Sequence, residues 1–258
     1  MLNSHQRDQW ARSGYLQIAD FFEETDKLVE YCNDLQVLEE VPGKWMKYFE
    51  YPKPDQRQLC RIEKFIEFHR GWHDILMGPR MAAVLADLFG EAAVLYKEKI
   101  NFKLPGGGGF KAHQDAPAYD EFGHSMHITA MIAIDPANTE NGCFQIVDGP
   151  RVLKKLSTNS DLTIKSDWEK NFIWQPLVSA RGDLLLFDSY LPHRSGPNNS
   201  ANSRRLLFAT YNRESEGDRR ADYFSNKRRT FPPECELDPA KSYEKHNRYN
   251  VGNPITAN

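Results

Sequence analysis

A mainly β fold is what this sequence predicts: a double-stranded β-helix, or jelly roll, with N-terminal helices packed on one face. Two observations carry that reading. From Ala93 onward the chain breaks into short runs rich in β-branched and aromatic residues, punctuated by turn clusters every ten or so residues. Before Ala93 the apolar residues recur at helical spacing instead.

Taken in order, Ser4 to Ser13 reads as a short helix closed by Gly14, leading into an extended segment at Tyr15 to Ile18. Asp26 to Leu38 is a helix amphipathic through Leu28, Tyr31, Cys32 and Leu35. Gly78 to Phe89 is another, through Met81, Val84, Leu85 and Leu88, with Gly90 just past its end. Helices are therefore expected to dominate the first third. Strands are expected at Val94 to Phe102, His127 to Ile134, Cys143 to Val147, Asp183 to Phe187 and Arg205 to Tyr211. The stretch from Gln175 to Gly196, the turn Pro197 to Ser200 and the run from Arg204 read as strand, turn, strand. The interior of such a double sheet can hold a ligand or a metal.

Composition bounds the partners. With 258 residues, 40% hydrophobic and 27% charged, the chain is expected to form one domain spanning 1–258. A formal net charge of -3 gives no global basic field, so nucleic acid and anionic membrane surfaces are not expected partners; a small molecule is, with the protein a monomer or homodimer. Cys32, Cys60, Cys143 and Cys235 are scattered without CxxC spacing, which suits a reducing compartment and unpaired thiols. The opening MLNSHQRDQWARSG lacks the apolar region of a secretory signal, and no run approaches the ~18 apolar residues of a membrane span, so a soluble cytoplasmic protein is expected. The polar end from Asn250 to Asn258 is expected to be loose.

The chemistry centres on His113-x-Asp115 and the distant His193. Along an extended chain residues i and i+2 point the same way, so His113 and Asp115 can share one cation. His193 sits just past the apolar run Leu184 to Phe187, where a barrel strand would deliver a third ligand. Two imidazoles and one carboxylate form a facial ligand set for a non-heme Fe(II), leaving positions for a co-substrate and O2. A 2-oxoglutarate chelated through its keto-acid end leaves a distal carboxylate that calls for a bidentate guanidinium. Arg204, eleven residues past His193 and across a turn, can supply one. Alternation alone does not choose between Arg204 and Arg205, which point to opposite faces.

Other candidates are weaker. Asn101 and Thr129 sit on strands where they could donate to co-substrate or substrate, with core-edge hydrogen bonding as the equal alternative. His127 begins an inward-alternating strand with Thr129 and Met131 and either lines the pocket or is a buried, hydrogen-bonded histidine. His69 and His73 lie one helical turn apart but lack the HExxH glutamate and a third ligand, which favours a surface or packed pair. Pro105 and the four glycines after it are not followed by GK[ST], so a flexible hairpin loop is expected rather than a phosphate cradle.

The segments FKAHQD, NGCFQIVDGPR from Asn141 to Arg151, GDLLLFDSYLPHRSGPN around His193, and Arg204 together resemble the phytanoyl-CoA dioxygenase family of Fe(II)/2-oxoglutarate oxygenases. The resemblance runs from QWARSGYLQIADFF to the GPNNSANSRR turn. It implies Fe(II) held by His113, Asp115 and His193, 2-oxoglutarate as co-substrate with O2, and Arg204 rather than Arg205 on the distal carboxylate with Ser195 beside it. It also implies oxidative decarboxylation to succinate and CO2 with hydroxylation of a substrate C–H. Met131 stands where many relatives carry Trp, so packing beside the co-substrate is expected to differ. Asp115 is retained where halogenating relatives have a small residue, which favours hydroxylation.

Within the family, KEKINFKLPGG, HQDAPAY and SNKRRTFPPE look most like the 2-aminoethylphosphonate and 2-trimethylaminoethylphosphonate hydroxylase group. A small zwitterion needs cations for its anionic end and aromatic or carboxylate groups for its ammonium. Lys227, Arg228 and Arg229 are candidates for the first and Tyr119 with Asp120 for the second, against a solvated charged loop as the even alternative. The rivals are the same chemistry on an amino acid, natural-product intermediate or acyl thioester, a non-catalytic ligand-binding jelly roll, and a cupin-like Zn(II) or Mn(II) isomerase or hydrolase needing neither Arg204 nor O2.

Overall fold

In a computed structural model, residues 1–243 and 248–252 are described. The chain opens with helix α1 (Ser4–Ser13), started by a capping box in which Asn3 and Gln6 exchange side-chain and backbone hydrogen bonds. Gly14, at φ 74, stops it by returning its N–H to Trp10 O and turning the chain into strand β1 (Tyr15–Ile18). Helix α2 (Thr25–Val37) buries Leu28, Cys32 and Leu35. The next two elements, β2 (Met46–Lys53) and β3 (Gln56–Glu63), form an antiparallel hairpin within the first third, which helices were expected to dominate. Its pattern is masked because Lys47, Arg61 and Glu63 are charged yet buried, which breaks the apolar alternation. Helices α3 (Arg70–Leu76) and α4 (Pro79–Phe89) follow, α4 with proline at its start and Gly90 at its end.

The β-rich remainder comprises β4 (Ala93–Lys103), β5 (Phe110–His113), the short α5 (Ala116–Tyr119), β6 (Ile128–Ala133) and β7 (Phe144–Val147). After the short α6 (Ser166–Glu169) come β8 (Trp174–Leu177), β9 (Leu184–Asp188), β10 (His193–Ser195) and β11 (Arg204–Arg213), then helix α7 (Arg220–Thr230). All pairings are antiparallel: a seven-stranded sheet β1-β9-β6-β11-β4-β3-β2 faces a four-stranded sheet β5-β10-β7-β8, the two layers of a jelly roll.

Alternation divides the large sheet cleanly. Ile100, Phe102, Ile128, Ile132, Leu207 and Ala209 face the helices and pack with Leu28, Leu35, Val84 and Leu85. Met131, Leu185, Phe187, Leu206 and Phe208 face the small sheet and pack with Phe144 and Ile146. Arg205 sits on the helix side, its guanidinium on Asp135 at 2.7 and 2.8 Å and on Asn33 at 2.6 Å, whereas Arg204 points between the sheets.

The C-terminal end corrects one expectation. Tyr249 is buried beside Tyr223, and Gly252 O accepts from Lys111 N at 2.8 Å, so 249–252 is packed onto β5. The rest of the tail expected to be loose, 253–258, lies outside the described residues. All four cysteines are free thiols, and no described helix is long and apolar enough to cross a membrane.

Candidate active site

Sheet register brings the histidines together. His113 ends β5 and His193 begins β10, and the two are direct partners in the antiparallel pair, with ring centroids 4.2 Å apart. Asp115 reaches the same point by a different route from the one its spacing suggested. It is not in the strand but in right-handed helical geometry (φ -75, ψ -30) at the start of α5, so a turn rather than i, i+2 alternation aims its carboxylate. Asp115 Oδ1 lies 3.9 Å from His113 Nε2 and 4.0 Å from His193 Nε2, and one ligand atom from each residue falls within 4.8 Å of the others. Between the ligands, Gln114 is fully buried and tied to Lys154 O, Tyr190 O and Leu156 N, which fixes the turn.

Each imidazole has one committed nitrogen. His113 Nδ1 donates to Lys111 O at 2.7 Å and His193 Nδ1 to Leu191 O at 2.9 Å. A carbonyl only accepts, so the hydrogen sits on Nδ1 and the Nε2 lone pairs face Asp115. Burial pushes His113 down to about 3, helped by repulsion from His193, and burial lowers His193 as well. For Asp115 burial acts upward, but His193, Lys97 and His113 outweigh it and hold the carboxyl at about 2. At neutral pH the trio is therefore two neutral imidazoles and a carboxylate, the protonation state a divalent cation requires. Phe144 stacks on His193 at 4.9 Å, and Phe187 closes in at 5.2 Å.

Arg204 is 2% exposed and pairs across the sheet with Lys103. Its Nη2 donates to Gly142 O at 2.6 Å, while its buried Nε has no partner among the described residues. Burial lowers the guanidinium to about 10, still cationic at neutral pH. Lys103 Nζ donates to Ser195 Oγ at 2.8 Å and to the carbonyls of Gly142 and Gly196; burial first, then Arg204, brings it to about 6. Gly142, at φ +72, belongs here for a steric reason: a Cβ would stand 2.3 Å from Gly196 O.

The same cavity is lined by Ser195, Asn101, Thr129 and Tyr119. Asn101 Oδ1 accepts from Arg61 Nε at 3.3 Å, Thr129 shares a 3.0 Å hydrogen bond with Thr210, and Tyr119 is buried against His127 at 4.5 Å.

Lys227, Arg228 and Arg229 do not join them. Their segment is helix α7, not a solvated loop. Lys227 is fully buried with Nζ 2.5 Å from Glu63 Oε2, ringed by Tyr48, Tyr223, Phe231 and Tyr249. Arg228 bonds to Glu236 and Lys44 O on the far side, Arg229 lines a separate depression, and Asp120 pairs with Lys155. Instead, Lys97 and Lys99 line the cavity. The signal for them was present: in KEKINFK the strand period places Lys97, Lys99, Asn101 and Lys103 on one face.

His69, His73, His124 and His127 have structural partners. His69 Nδ1 accepts from Trp72 N at 3.2 Å as the cap of α3, and His73 lies by Asp74 at 3.2 Å. Buried His127, lowered to about 3 by burial, bonds to His124 at 3.0 Å. The glycine run is the β4–β5 connection, held through Gly106 N to Asn198 O and Gly108 N to Glu50.

Residues 10–206 match the phytanoyl-CoA dioxygenase (PhyH) family. Over 97% of both chains the sequence is 45% identical to a 2-aminoethylphosphonate dioxygenase from uncultured bacterium HF130_AEPn_1. It is 38% identical to a methylphosphonate hydroxylase from Gimesia maris, covering 89% of this chain and 88% of that one. Among solved structures, EctD from S. alaskensis with 2-oxoglutarate and 5-hydroxyectoine superposes with a TM-score of 0.68 at 16% identity, over 98% of this chain and 89% of that one, which shows a shared fold.

Proposed function

Since the chain belongs to the phytanoyl-CoA dioxygenase family, we propose that it is an Fe(II)- and 2-oxoglutarate-dependent oxygenase that hydroxylates a C–H of a small phosphonate, releasing succinate and CO2. The observation that carries this reading is the convergence of His113 Nε2, His193 Nε2 and the Asp115 carboxylate in one cavity with a buried arginine whose Nε has no partner among the described residues. The donor set fits the metal: the three side chains are in ligand protonation states, and the committed Nδ1 bonds leave the Nε2 atoms free. When bound there, the metal supplies the activation of O2 and the oxidation of 2-oxoglutarate.

The chain's own residues bind, orient and exclude water. His113, Asp115 and His193 hold the metal. Arg204, fixed through Gly142 O, presents its free N–H groups to the distal carboxylate of 2-oxoglutarate, and Ser195, held by Lys103, stands beside it. Asn101 and Thr129 are placed to donate to co-substrate or substrate, and Tyr119 forms the wall at the substrate end. Phe144, Phe187 and Phe208 keep the space between the sheets dry. The Asp115 carboxylate occupies the position a halide would need, which supports hydroxylation. The whole chain, 1–258, acts as one catalytic domain, since 249–252 packs against the strand that carries His113. The free cysteines suit a reducing cytoplasm.

The test is anaerobic titration with Fe(II) and 2-oxoglutarate, followed by succinate release on admitting O2 with aminoalkylphosphonates, amino acids and acyl thioesters. A metal-to-ligand charge-transfer band that disappears in Asp115→Ala, with succinate stimulated by phosphonates, is expected. No band and no succinate above background would sink the oxygenase reading; stimulation by another class alone would sink the phosphonate.

A further inference from the structure

Strand β4 presents Lys97, Lys99 and Asn101 to the cavity, with Lys103 next along the same face, and the lysines are not equivalent. Lys103 is committed to Ser195 and two backbone carbonyls. Lys97 and Lys99 have no hydrogen-bond or ion-pair partner at Nζ among the described residues. Their ammonium groups lie against rings: Lys97 4.6 Å from the centre of Tyr119 and 5.5 Å from that of Tyr223, Lys99 5.4 Å from that of Phe208. Asp115 is the sole carboxylate among the lining residues, and the proposed function gives its charge to the metal. Glu63, the register partner of Lys99 on β3, is taken by Lys227 and Arg61. Two ammonium groups thus face the cavity with no anion assigned to them, an arrangement that costs stability unless a ligand brings the missing charge.

Their place along the strand matters as much as their charge. Cross-strand register sets Lys103 against Arg204 at one end, and Lys99 against Phe208 and Lys97 against Thr210 toward the other. Four residues of extended chain separate Lys99 from Lys103, about 13 Å of strand. The co-substrate carboxylate and a second anion can therefore be held at the same time by different cations. Burial first, then neighbouring positive charge, lowers Lys99 well below its usual range; burial also lowers Lys97, and Asp115 and Glu63 oppose the shift in both. An anion brought beside them would favour the charged form of both.

We propose that Lys97 and Lys99 form the clamp for the substrate's anionic headgroup, built for a dianionic phosphonate, and that the cavity makes no ion pair with a substrate ammonium. The proposal rests on the oxygenase reading above and adds to it which end of the molecule is read. A phosphonate dianion can answer both lysines with three oxygens, whereas a sulfonate or carboxylate brings one charge for two. Among the described residues an ammonium has no free carboxylate to meet, and Lys97 already lies against Tyr119.

The test compares 2-aminoethylphosphonate, ethylphosphonate and 2-aminoethanesulfonate with the wild type and the Lys97→Gln, Lys99→Gln and Lys99→Arg variants. Succinate release is read beside anaerobic calorimetric titration of ethylphosphonate into protein loaded with Fe(II) and 2-oxoglutarate. Each Lys→Gln change is expected to raise the KM and Kd for the phosphonate about tenfold or more, as loss of a charge-assisted contact should, while the KM for 2-oxoglutarate stays within about twofold. Lys99→Arg should retain most of the affinity. Exchanging phosphonate for sulfonate should lower kcat/KM more than deleting the amine. Thermal melting supplies a readout a structural lysine would not give: removing an unpaired, half-buried cation should leave the free protein as stable as before or more so.

If phosphonates drive succinate release in the wild type but both variants keep their KM, the clamp is wrong and the oxygenase reading stands. If ethylphosphonate binds to the wild type and not to the variants, yet no succinate forms, the clamp stands and the oxygenase reading falls. Absence of phosphonate binding to the loaded wild type overturns the clamp.

Discussion

Arg204 and Arg205 are adjacent in sequence and opposite in consequence, and exchanging each in turn for methionine tests the assignment of faces. Arg204 already gives one N–H to Gly142 O at 2.6 Å, and its Nε is shielded and without partner among the described residues. A distal carboxylate gripped in bidentate fashion would receive two charge-assisted hydrogen bonds, each about 1.5–3 kcal/mol. Losing both is about 3–6 kcal/mol, or roughly 10²- to 10⁴-fold in the KM for 2-oxoglutarate. Lysine at 204 should not recover it, because a point charge cannot reproduce the fork. Arg205 instead bonds Asp135 at 2.7 and 2.8 Å and Asn33 at 2.6 Å, tying β11 to the segment after β6 and to α2. Arg205→Met should cost about 1–3 kcal/mol of stability and leave KM unchanged. The assay is KM for 2-oxoglutarate from succinate release, beside urea midpoints for the three variants. A KM within about threefold of wild type for Arg204→Met, or an equal rise for Arg205→Met, would refute the reasoning.

Three other outcomes are expected. Lys227→Met strands the buried Glu63, leaving it Arg61 at 3.2 Å, so stability should fall by about 3 kcal/mol in urea denaturation; adding Glu63→Gln should return most of it, and a neutral single variant would show the pair contributes nothing. Gly142→Ala combines a φ of +72 with a Cβ 2.3 Å from Gly196 O, so it should lose about 2 kcal/mol or more and raise the KM for 2-oxoglutarate, since Arg204 and Lys103 both bond to Gly142 O. For the metal-free protein, His127 at about 3 is depressed from the usual 6.5, so its contribution is complete above pH 6.5 and is lost as pH falls from there toward 3. Urea-derived stability should fall less steeply between pH 7 and pH 5 in His127→Gln, by up to about 1.4 kcal/mol per pH unit, and identical slopes would argue that His127 titrates in the fold as it does in the unfolded chain.

What was legible in the sequence follows the range over which each signal acts. Local signals succeeded: the helix at Ser4–Ser13, closed by Gly14, and the strand at Tyr15–Ile18 lie where capping and spacing put them. The ligands were legible as residue types, yet their convergence depends on His113 and His193 being register partners, which no spacing states. The hairpin β2–β3 and helix α7 were hidden because each buries charge. Lys227 has an acidic partner on β3, far away in sequence, so nothing local marks it as a core residue rather than a surface base. The omission of Lys97 and Lys99 is the converse. Their strand was anticipated and its alternation was plain, but a lysine on a strand reads by default as solvent-facing. Only the second sheet shows that this face is interior.

That a jelly roll can turn a cationic face inward follows from how the large sheet divides its labour. In the middle of β4 and β11, cavity residues alternate with residues of the helix-facing core: Lys99 and Asn101 bracket Ile100, and Leu206 and Phe208 bracket Leu207. A slip of one residue would drive Lys99 into the helix layer and Ile100 into the cavity, so the apolar face fixes the register that the polar face uses. The packing against α2 and α4 thereby does two things at once. It supplies the burial that offsets unpaired charge between the sheets, and it holds Lys99, Asn101 and Arg204 at the heights along the strand where two anions can be kept apart.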